Sequence, residues 1–400
     1  MSPLRLPIQT KTAPSFPHSP SIQVASFTAA ALYSGLWWRR WAHSGQKDHM
    51  WPLLGRFCGL VCVGSFMGVL TWIAASQSNI FYYKFNRSAN RQQYLDGLHS
   101  YNVWMSVFYT VYGVEFLCLI TAKLMLLGRL MHHATRVLND RRPEMSSIQH
   151  AFRNSSALSK FFYIVAITVV LSCFVGMVSY FVAAAYAVRI ADVANQAAGL
   201  CDSQGRDTNS SLAFIPLLER TISDKHTAHA SQSVCEALGL LLTAFAYAVL
   251  VALSVAIFRR VEEVGTAALV AVDTGVSTSK SLKISVDNAV NAAAEQRRRL
   301  TIACVVVLIT FPARAGFDLL QAYSSFDAGY SAFCGPCGDC QTNQYVVRAW
   351  INYTPEFNSI TVAVSSPLPL VLSLWLITTA HARALAFTAS IRKSGSGSKL

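Results

Sequence analysis

Long apolar stretches without a charged residue recur along the chain. Four of them follow Arg56, Lys160, Glu236 and Glu356, and each contains no Asp, Glu, Lys or Arg for more than 20 residues. A helix that crosses a bilayer needs about 20 consecutive, mostly apolar residues. The pattern therefore predicts four membrane-spanning helices, at about 57–77, 161–188, 237–258 and 359–381.

Two further apolar stretches are interrupted by charge. The stretch 102–122, within a span predicted at about 102–126, contains only Glu115, and the stretch 300–322 contains Arg314 and Asp318. Both are otherwise apolar and long enough to cross a bilayer. We therefore predict two more spans that carry charged side chains inside the membrane.

A seventh stretch, residues 21–38, is apolar but rich in small residues. It runs into Trp37-Trp38-Arg39-Arg40-Trp41, a combination of aromatic and cationic residues that is typical of the membrane interface. The sequence favours a span here, and the alternative is an amphipathic helix that lies on the membrane and leaves six spans. Residues 1–20 are rich in proline and contain no acidic residue, which predicts a disordered tail.

Composition agrees with a bilayer as the solvent. The chain is 53% hydrophobic and only 13% charged, about half the charged fraction of a soluble domain. We therefore predict an all-α integral membrane protein, in which residues 21–385 form one bundle of seven or six transmembrane helices. The first partner that the sequence predicts is the lipid bilayer around this bundle.

The net charge of +13 indicates orientation. With seven spans, the loops on one side hold 22 of the 33 Lys and Arg residues and the segments on the other side hold 10. Because cytosolic loops carry the excess of Lys and Arg, the richer side is predicted to be cytosolic. The C-terminal tail 386–400 would then be cytosolic and the N-terminus outside. This explanation leaves no reason to expect nucleic-acid binding.

The predicted outer segments carry the features of a glycosylating, oxidising compartment. Each of the three predicted outer loops contains one N-x-[ST] sequence, and none of the ten cysteines falls in a predicted inner loop. Because disulfides form on the outer side only, this placement favours a disulfide-linked, glycosylated exterior. The glycosylation candidates are Asn86, Asn209 and Asn352, and the disulfide candidates are Cys201, Cys235, Cys334, Cys337 and Cys340.

The cysteine pairing stays open. Cys201 with Cys235 would close the second outer segment, and the motif CGPCGDC at 334–340 would hold a further bond. The same spacing inside a cell would suggest zinc, but outside it favours disulfides, so no metal and no cofactor are predicted. We expect the secretory pathway or the plasma membrane. The alternative is the peroxisomal membrane, because the chain ends in Ser398-Lys399-Leu400.

Charged residues inside the bilayer are the first candidates for function. Arg314 and Asp318 are four residues apart, so they share a helix face and can pair. Glu115 is predicted to lie in the inner half of the membrane with no basic residue at its level. We expect it to be a neutral acid that relays a proton or cation, or one that merely hydrogen-bonds to a neighbour such as Tyr112.

Prolines mark breaks in two spans. Pro312 precedes Arg314 in the sixth span, and Pro367 and Pro369 lie in the outer half of the seventh. Kinks at these positions would expose backbone carbonyls, as the discontinuous helices of transporters do.

Residues 259–299 are predicted to form a helical hairpin on the cytosolic side. Both arms have helix-favouring sequences, and Ser277-Thr278-Ser279-Lys280 forms the turn between them. The hairpin either couples to a cytosolic partner or is a solvated loop with helical content. On the outer side, His226 and His229 are expected to be solvated.

Motifs do not point to an enzyme. The sequence has no P-loop, no H-E-x-x-H, no G-x-S-x-G and no dinucleotide fingerprint. Seven spans, an outer N-terminus and a glycosylatable exterior resemble the topology of G-protein-coupled receptors. Their sequence motifs differ, since the third span ends in LLGRLMHH and the seventh has no Asn-Pro-x-x-Tyr.

Three functions follow as hypotheses. The first is a receptor-like sensor, which binds a ligand at the outer face and couples through 259–299. The second is a secondary transporter or channel that uses Glu115, Arg314 and Asp318. The third is a membrane scaffold without a ligand.

Overall fold

The structure is a computed structural model. It describes residues 19–43, 51–88, 90–140, 155–201, 206, 208–273, 280–326, 362, 369, 371 and 372. These residues contain helices and no strand. In chain order the helices are α1 (Ser19–His43), α2 (Trp51–Asn86), α3 (Arg91–Asp140), α4 (Ser155–Ala198), α5 (Asn209–Leu212), α6 (Ile215–Asp273) and α7 (Lys280–Phe326).

Five helical stretches within the described residues are long and apolar enough to cross a membrane. They are Gly55–Phe85, Arg91–Gly128, Lys160–Ala198, Asn209–Ala256 and Arg297–Ser325. Large apolar side chains on these helices point outward, among them Ile164, Phe174 and Ile309, which are 63%, 58% and 65% exposed. Contact of such an apolar surface with lipid tails has no free-energy penalty, whereas its exposure to water is unfavourable. The prediction of an all-α, multi-pass membrane bundle is confirmed.

The interior of the described bundle contains three hydrophobic cores. The first joins α3, α4, α6 and α7 through residues such as Tyr180 and Leu250. The second joins α1, α2 and α3 around Phe27 and Val61, and includes Val362. The third joins α2, α3, α4 and α6. Helix α3 belongs to all three cores and therefore connects them.

Helix α1 contains the predicted stretch 21–38 and packs along α2. Phe27 is fully buried where α2 has Gly68, and a side chain at Gly68 would begin only 2.4 Å from the Phe27 ring. Close helix contact of this kind uses small residues, as in other membrane helix pairs. Each of the five stretches above corresponds to one predicted span. The predicted span 21–38 is also described by the structure, but it is not among those five stretches.

The prediction that residues 189–235 form an outer loop is wrong. Helix α4 continues to Ala198 and α6 already begins at Ile215. The spans had been bounded at charged residues, but a helix does not end where its sequence becomes polar. The buried side chains of Lys225 and Glu236 therefore lie inside the bundle.

The proposed pairing of Cys201 with Cys235 is also wrong. Cys235 lies inside α6 and is a free thiol. It lies against Gly176 of α4, where a side chain would be 3.4 Å from its Cβ. Helix α4 ends at Ala198, 22 helical residues or about 33 Å beyond Gly176. Cys201 follows that end, so the two thiols are far apart. Cys334, Cys337 and Cys340 lie outside the described residues.

Helices α6 and α7 extend well past their apolar stretches, on the side that the charge pattern predicts to be cytosolic. Helix α6 ends at Asp273 and α7 begins at Lys280. Arg297 Nη1 lies 3.1 Å from Glu262 Oε2, an ion pair that joins the two extensions.

Candidate intramembrane charge network

Arg314 of α7 is at the centre of a network of buried polar side chains. Its Nε lies 3.0 Å from Asp318 Oδ1, one turn further along the same helix. Its Nη2 donates to the Tyr112 hydroxyl at 2.9 Å and lies 3.4 Å from Glu236 Oε1. All four residues are buried, with Asp318 only 1% exposed. The ion pair that the spacing of Arg314 and Asp318 indicates is therefore present.

Glu236 of α6 collects hydrogen bonds from three other side chains. The Tyr112 hydroxyl donates to its Oε1 at 2.9 Å, Gln232 Nε2 donates to its Oε2 at 2.8 Å, and the Tyr180 hydroxyl donates to its Oε2 at 3.5 Å. Together with Arg314, these residues come from α3, α4, α6 and α7. The network therefore ties four helices together at one point.

The network is expensive to build, because charges leave water to enter it. Several of its polar atoms have the hydrogen-bond or ion-pair partners named above, but two atoms do not. Arg314 Nη1 and Asp318 Oδ2 are buried and have no hydrogen-bond partner in the part of the chain that the structure describes.

Glu115 lies on α3 one turn after Tyr112 and is 2% exposed. Thr71 of α2 is its hydrogen-bonding neighbour, and its Oε2 has no partner among the described residues. A hydrogen bond between Tyr112 and Glu115, one of the predicted alternatives, is not formed. The Tyr112 hydroxyl instead donates to Glu236 and accepts from Arg314. Glu115 therefore lies beside the network and outside its ion pairs.

Lys123 lies two turns beyond Glu115 on the same helix and is 9% exposed. Its Nζ lies 4.6 Å from the centre of the Phe311 ring of α7, a cation–π contact. Within the described residues Lys123 forms no ion pair. It is a second buried cation next to the network.

A small cavity separates these groups. Its polar lining consists of Tyr112, Glu115, Lys123, Glu236 and Arg314. The rest of the wall is apolar, from Phe116, Leu119, Ile120 and Leu240. The cavity has room for about one water molecule.

A polar face extends from this site toward the predicted outer end of α6. Lys225, His229, Gln232 and Glu236 recur at i, i+4, i+7 and i+11, the spacing of one helix face. Lys225 Nζ donates to Asn102 Oδ1 at 3.1 Å, and both side chains are buried. Eleven residues correspond to about 17 Å of helix, so polar groups extend from the site along α6 toward its first turns.

His229 takes part in this face, so the expectation that it is solvated is wrong. Its ring packs 5.5 Å from the Tyr109 ring, measured between centres, and its Nε2 lies 2.9 Å from Gln321 Nε2. Helix α7 thus contacts the polar face of α6 at two levels, through Gln321 and through Arg314.

Glu236 and Lys123 are not among the site residues that the sequence predicts. Glu236 immediately precedes the apolar run 237–258, and Lys123 immediately follows the run 102–122, so each lies at the edge of a run. The helical repeat of polar residues on α6 was the signal that could have identified Glu236. Lys123, seven residues and two turns beyond the buried Phe116, repeats on the same face of α3.

The remaining predicted positions are distributed along the helices. Pro312 lies inside α7, two residues before Arg314. Asn86 is the last residue of α2, and Asn209 is exposed at the start of α5. Pro369 is buried, whereas Pro367 and Asn352 lie outside the described residues. The described residues contain no group of three His, Cys, Asp or Glu side chains that could hold a metal.

Comparison of the chain with protein-family models, curated proteins and solved structures finds no match.

Proposed function

We propose that this multi-pass membrane protein is a secondary transporter and that its intramembrane network carries a coupling proton. The observation that supports the proposal is the convergence of five buried ionisable side chains in the core of a membrane bundle: Glu115, Lys123, Glu236, Arg314 and Asp318. Charges at such depth are costly and mark the pathways of ions, protons and substrates.

The charges of the network suggest which group carries the proton. Arg314 and Lys123 contribute two positive charges, and the three carboxyl groups can contribute three negative ones. The network is neutral when one carboxyl is protonated. Glu236 and Asp318 are paired with Arg314, whereas Glu115 makes no ion pair among the described residues. Glu115 is therefore the proton site.

Loss of the proton from Glu115 would change which carboxylate pairs with Arg314. The charged or titratable groups that face Glu115 come from α3, α6 and α7, and α2 contributes only the hydroxyl of Thr71. Those groups are Tyr112, Cys118, Lys123, Glu236 and Arg314. An ionised Glu115 would attract Arg314 and Lys123, which weakens the contact of Arg314 with Glu236. Protonation would thus switch the pairing that joins α6 to α7.

Proton-coupled flux tests this function. Purified protein is reconstituted into phosphatidylcholine–phosphatidylglycerol vesicles that contain a pH-sensitive dye, and a panel of amino acids, sugars, and organic and inorganic ions is added outside. We expect at least one solute to change the internal pH in vesicles with wild-type protein. Glu115→Gln should abolish the change, whereas Glu219→Gln, at an exposed position on α6, should retain it. A change of equal size with Glu115→Gln would overturn the proposal.

A receptor-like sensor is the second candidate. The observation in its favour is the continuity of α6 and α7, which extend from Glu236 and Arg314 to Asp273 and Lys280 on the predicted cytosolic side. A change of pairing in the network would be transmitted along both helices. Removal of residues 262–297 should then abolish recruitment of a cytosolic protein by the folded receptor, and recruitment that survives the deletion would contradict this role.

A further inference from the structure

A second pocket lies between the end of α2 and the start of α3, away from the charge network. Its volume is about 380 Å³, within the range of small-molecule sites, about 300–1,000 Å³. Its deepest residue on α3, Ser100, is 15 residues before Glu115, or about 22 Å along the helix. The pocket is therefore independent of the proposed proton site.

The lining of this pocket contains charges of both signs. Lys84 and Arg87 contribute two cationic groups, and Asp96 contributes a carboxylate. All three side chains are exposed, and the ion pairs in the part of the chain that the structure describes involve other residues. Because these opposite charges share one concave surface and do not pair with each other, a ligand that carries both a negative and a positive group complements them.

The pocket lies at the level of the lipid headgroups. The apolar stretch of α2 ends at Phe85, and that of α3 begins at Arg91 and has 38 residues. Since about 20 residues cross a bilayer, the first turns of α3, with Asp96, have room in the interface. Tyr82 and Tyr83, next to Lys84 in the sequence, are exposed. Tyrosines are enriched at headgroup depth.

Apolar side chains continue from the pocket toward the membrane interior on both helices. On α3, Val103 and Val107 follow Asp96 at i+7 and i+11, and on α2 Ile73 precedes Lys84 by 11 residues. These spacings keep residues on one helix face, and all three apolar side chains are exposed. Eleven residues correspond to about 16 Å of helix, a path that an acyl chain can follow below its headgroup.

We propose that this pocket binds the headgroup of a zwitterionic phospholipid with a primary amine, of the phosphatidylethanolamine class. Lys84 and Arg87 hold the phosphate, to which both donate charge-assisted hydrogen bonds. The ammonium group donates to the Asp96 carboxylate and to Ser100 Oγ, whose own proton is donated to the Asp96 carbonyl at 3.1 Å.

The lining favours a primary amine over a choline group. Quaternary ammonium groups are recognised by cages of aromatic rings. The one aromatic ring in the described lining is Phe81, whose centre lies 5.1 Å from the Lys84 Nζ. A primary ammonium group instead needs hydrogen-bond acceptors, which Asp96, Ser100 and the amide oxygen of Gln93 provide.

Native mass spectrometry of the full-length protein in detergent tests the proposal. Delipidated protein from bacteria, which carries no glycan on the neighbouring Asn86, is titrated with phosphatidylethanolamine, phosphatidylcholine and phosphatidylglycerol of identical acyl chains. We expect phosphatidylethanolamine to bind about fivefold more tightly than the other two, the upper end for one exposed ion pair. Equal or tighter binding of phosphatidylglycerol would overturn the proposal, because the two cations alone would then determine the site.

Variants separate the amine contact from the phosphate contact. Asp96→Asn should bring the affinity for phosphatidylethanolamine down to that for phosphatidylcholine, whereas Asp192→Asn, on α4, should retain the fivefold preference. Arg87→Gln should weaken the binding of all three lipids, and Arg189→Gln, also on α4, should leave it unchanged. All four positions are exposed, so the variants are expected to fold. A preference for phosphatidylethanolamine that survives Asp96→Asn would contradict the proposal.

Discussion

Arg314 Nη2 and Glu236 Oε1 lie 3.4 Å apart, and the hydroxyl of Tyr112 is bonded to both at 2.9 Å. The contact between α6 and α7 is thus shared with a side chain of α3. Because the hydroxyl accepts from the guanidinium and donates to the carboxylate, it stays satisfied whether the ion pair is short or long. The arrangement lets Arg314 shift relative to Glu236 without leaving Tyr112 unpaired.

Tyr112→Phe should therefore destabilise the bundle more than Tyr180→Phe does. The first change removes two hydrogen bonds to charged groups, each contributing about 1.5–3 kcal/mol. The second removes one bond of 3.5 Å, whose length makes it weak. Thermal unfolding of both variants in the same detergent compares them, and an equal loss of stability would contradict the geometry.

Asp318→Ala should be strongly destabilising. It removes the partner at 3.0 Å from Arg314 and leaves a buried cation with Glu236 alone. Breaking a buried ion pair by removing one partner typically costs about 3–5 kcal/mol. Glu219→Ala, at an exposed position on α6, is the matched control and should change little. An unchanged unfolding midpoint for Asp318→Ala would show that the pair contributes nothing to stability.

Gly68→Ala should weaken the contact between α1 and α2. The added methyl group would lie 2.4 Å from the Phe27 ring, so one helix must move. Overpacking of this kind typically costs about 1–3 kcal/mol. Gly128→Ala is the control, because no other side chain among the described residues lies within 4 Å of its added methyl group. There the same change should be neutral or stabilising, by up to about 1 kcal/mol. Equal midpoints for both variants would argue against a packed α1.

Mass-spectrometric mapping should find Cys235 as a free thiol. Its position inside α6, against α4, leaves it far from the end of α4 where Cys201 lies. Alkylation after denaturation without a reducing agent should label Cys235 fully. A peptide in which Cys235 is linked to Cys201 would show that α6 begins later than Ile215.

The main features of the bundle could be predicted from the sequence because bilayer thickness sets a minimum apolar length. A run of that length is visible in the sequence even when single charged residues interrupt it. The apolar runs identified five of the long helices. Helix ends were not predictable in the same way. Backbone hydrogen bonding continues through polar residues, so α4 and α6 extend beyond their apolar runs to Ala198 and back to Ile215.

The site was only partly predictable for a related reason. Arg314 and Asp318 are neighbours on one helix, and spacing alone indicates their contact. Glu236 reaches Arg314 across 78 residues of chain and Tyr112 reaches it across 202. Such contacts depend on the rotation and vertical offset of separate helices, which periodicity does not determine.

The protonation state of Glu115 is the measurement that tests the account most directly. An infrared spectrum of the reconstituted protein at neutral pH should contain the carbonyl band of a buried carboxylic acid. Glu115→Gln should remove that band while the unfolding temperature stays close to that of the wild type, because the amide keeps the shape and the neutral charge. The account is contradicted if the band is absent and Glu115→Gln unfolds at a lower temperature, since Glu115 would then be an ionised partner of Arg314 or Lys123.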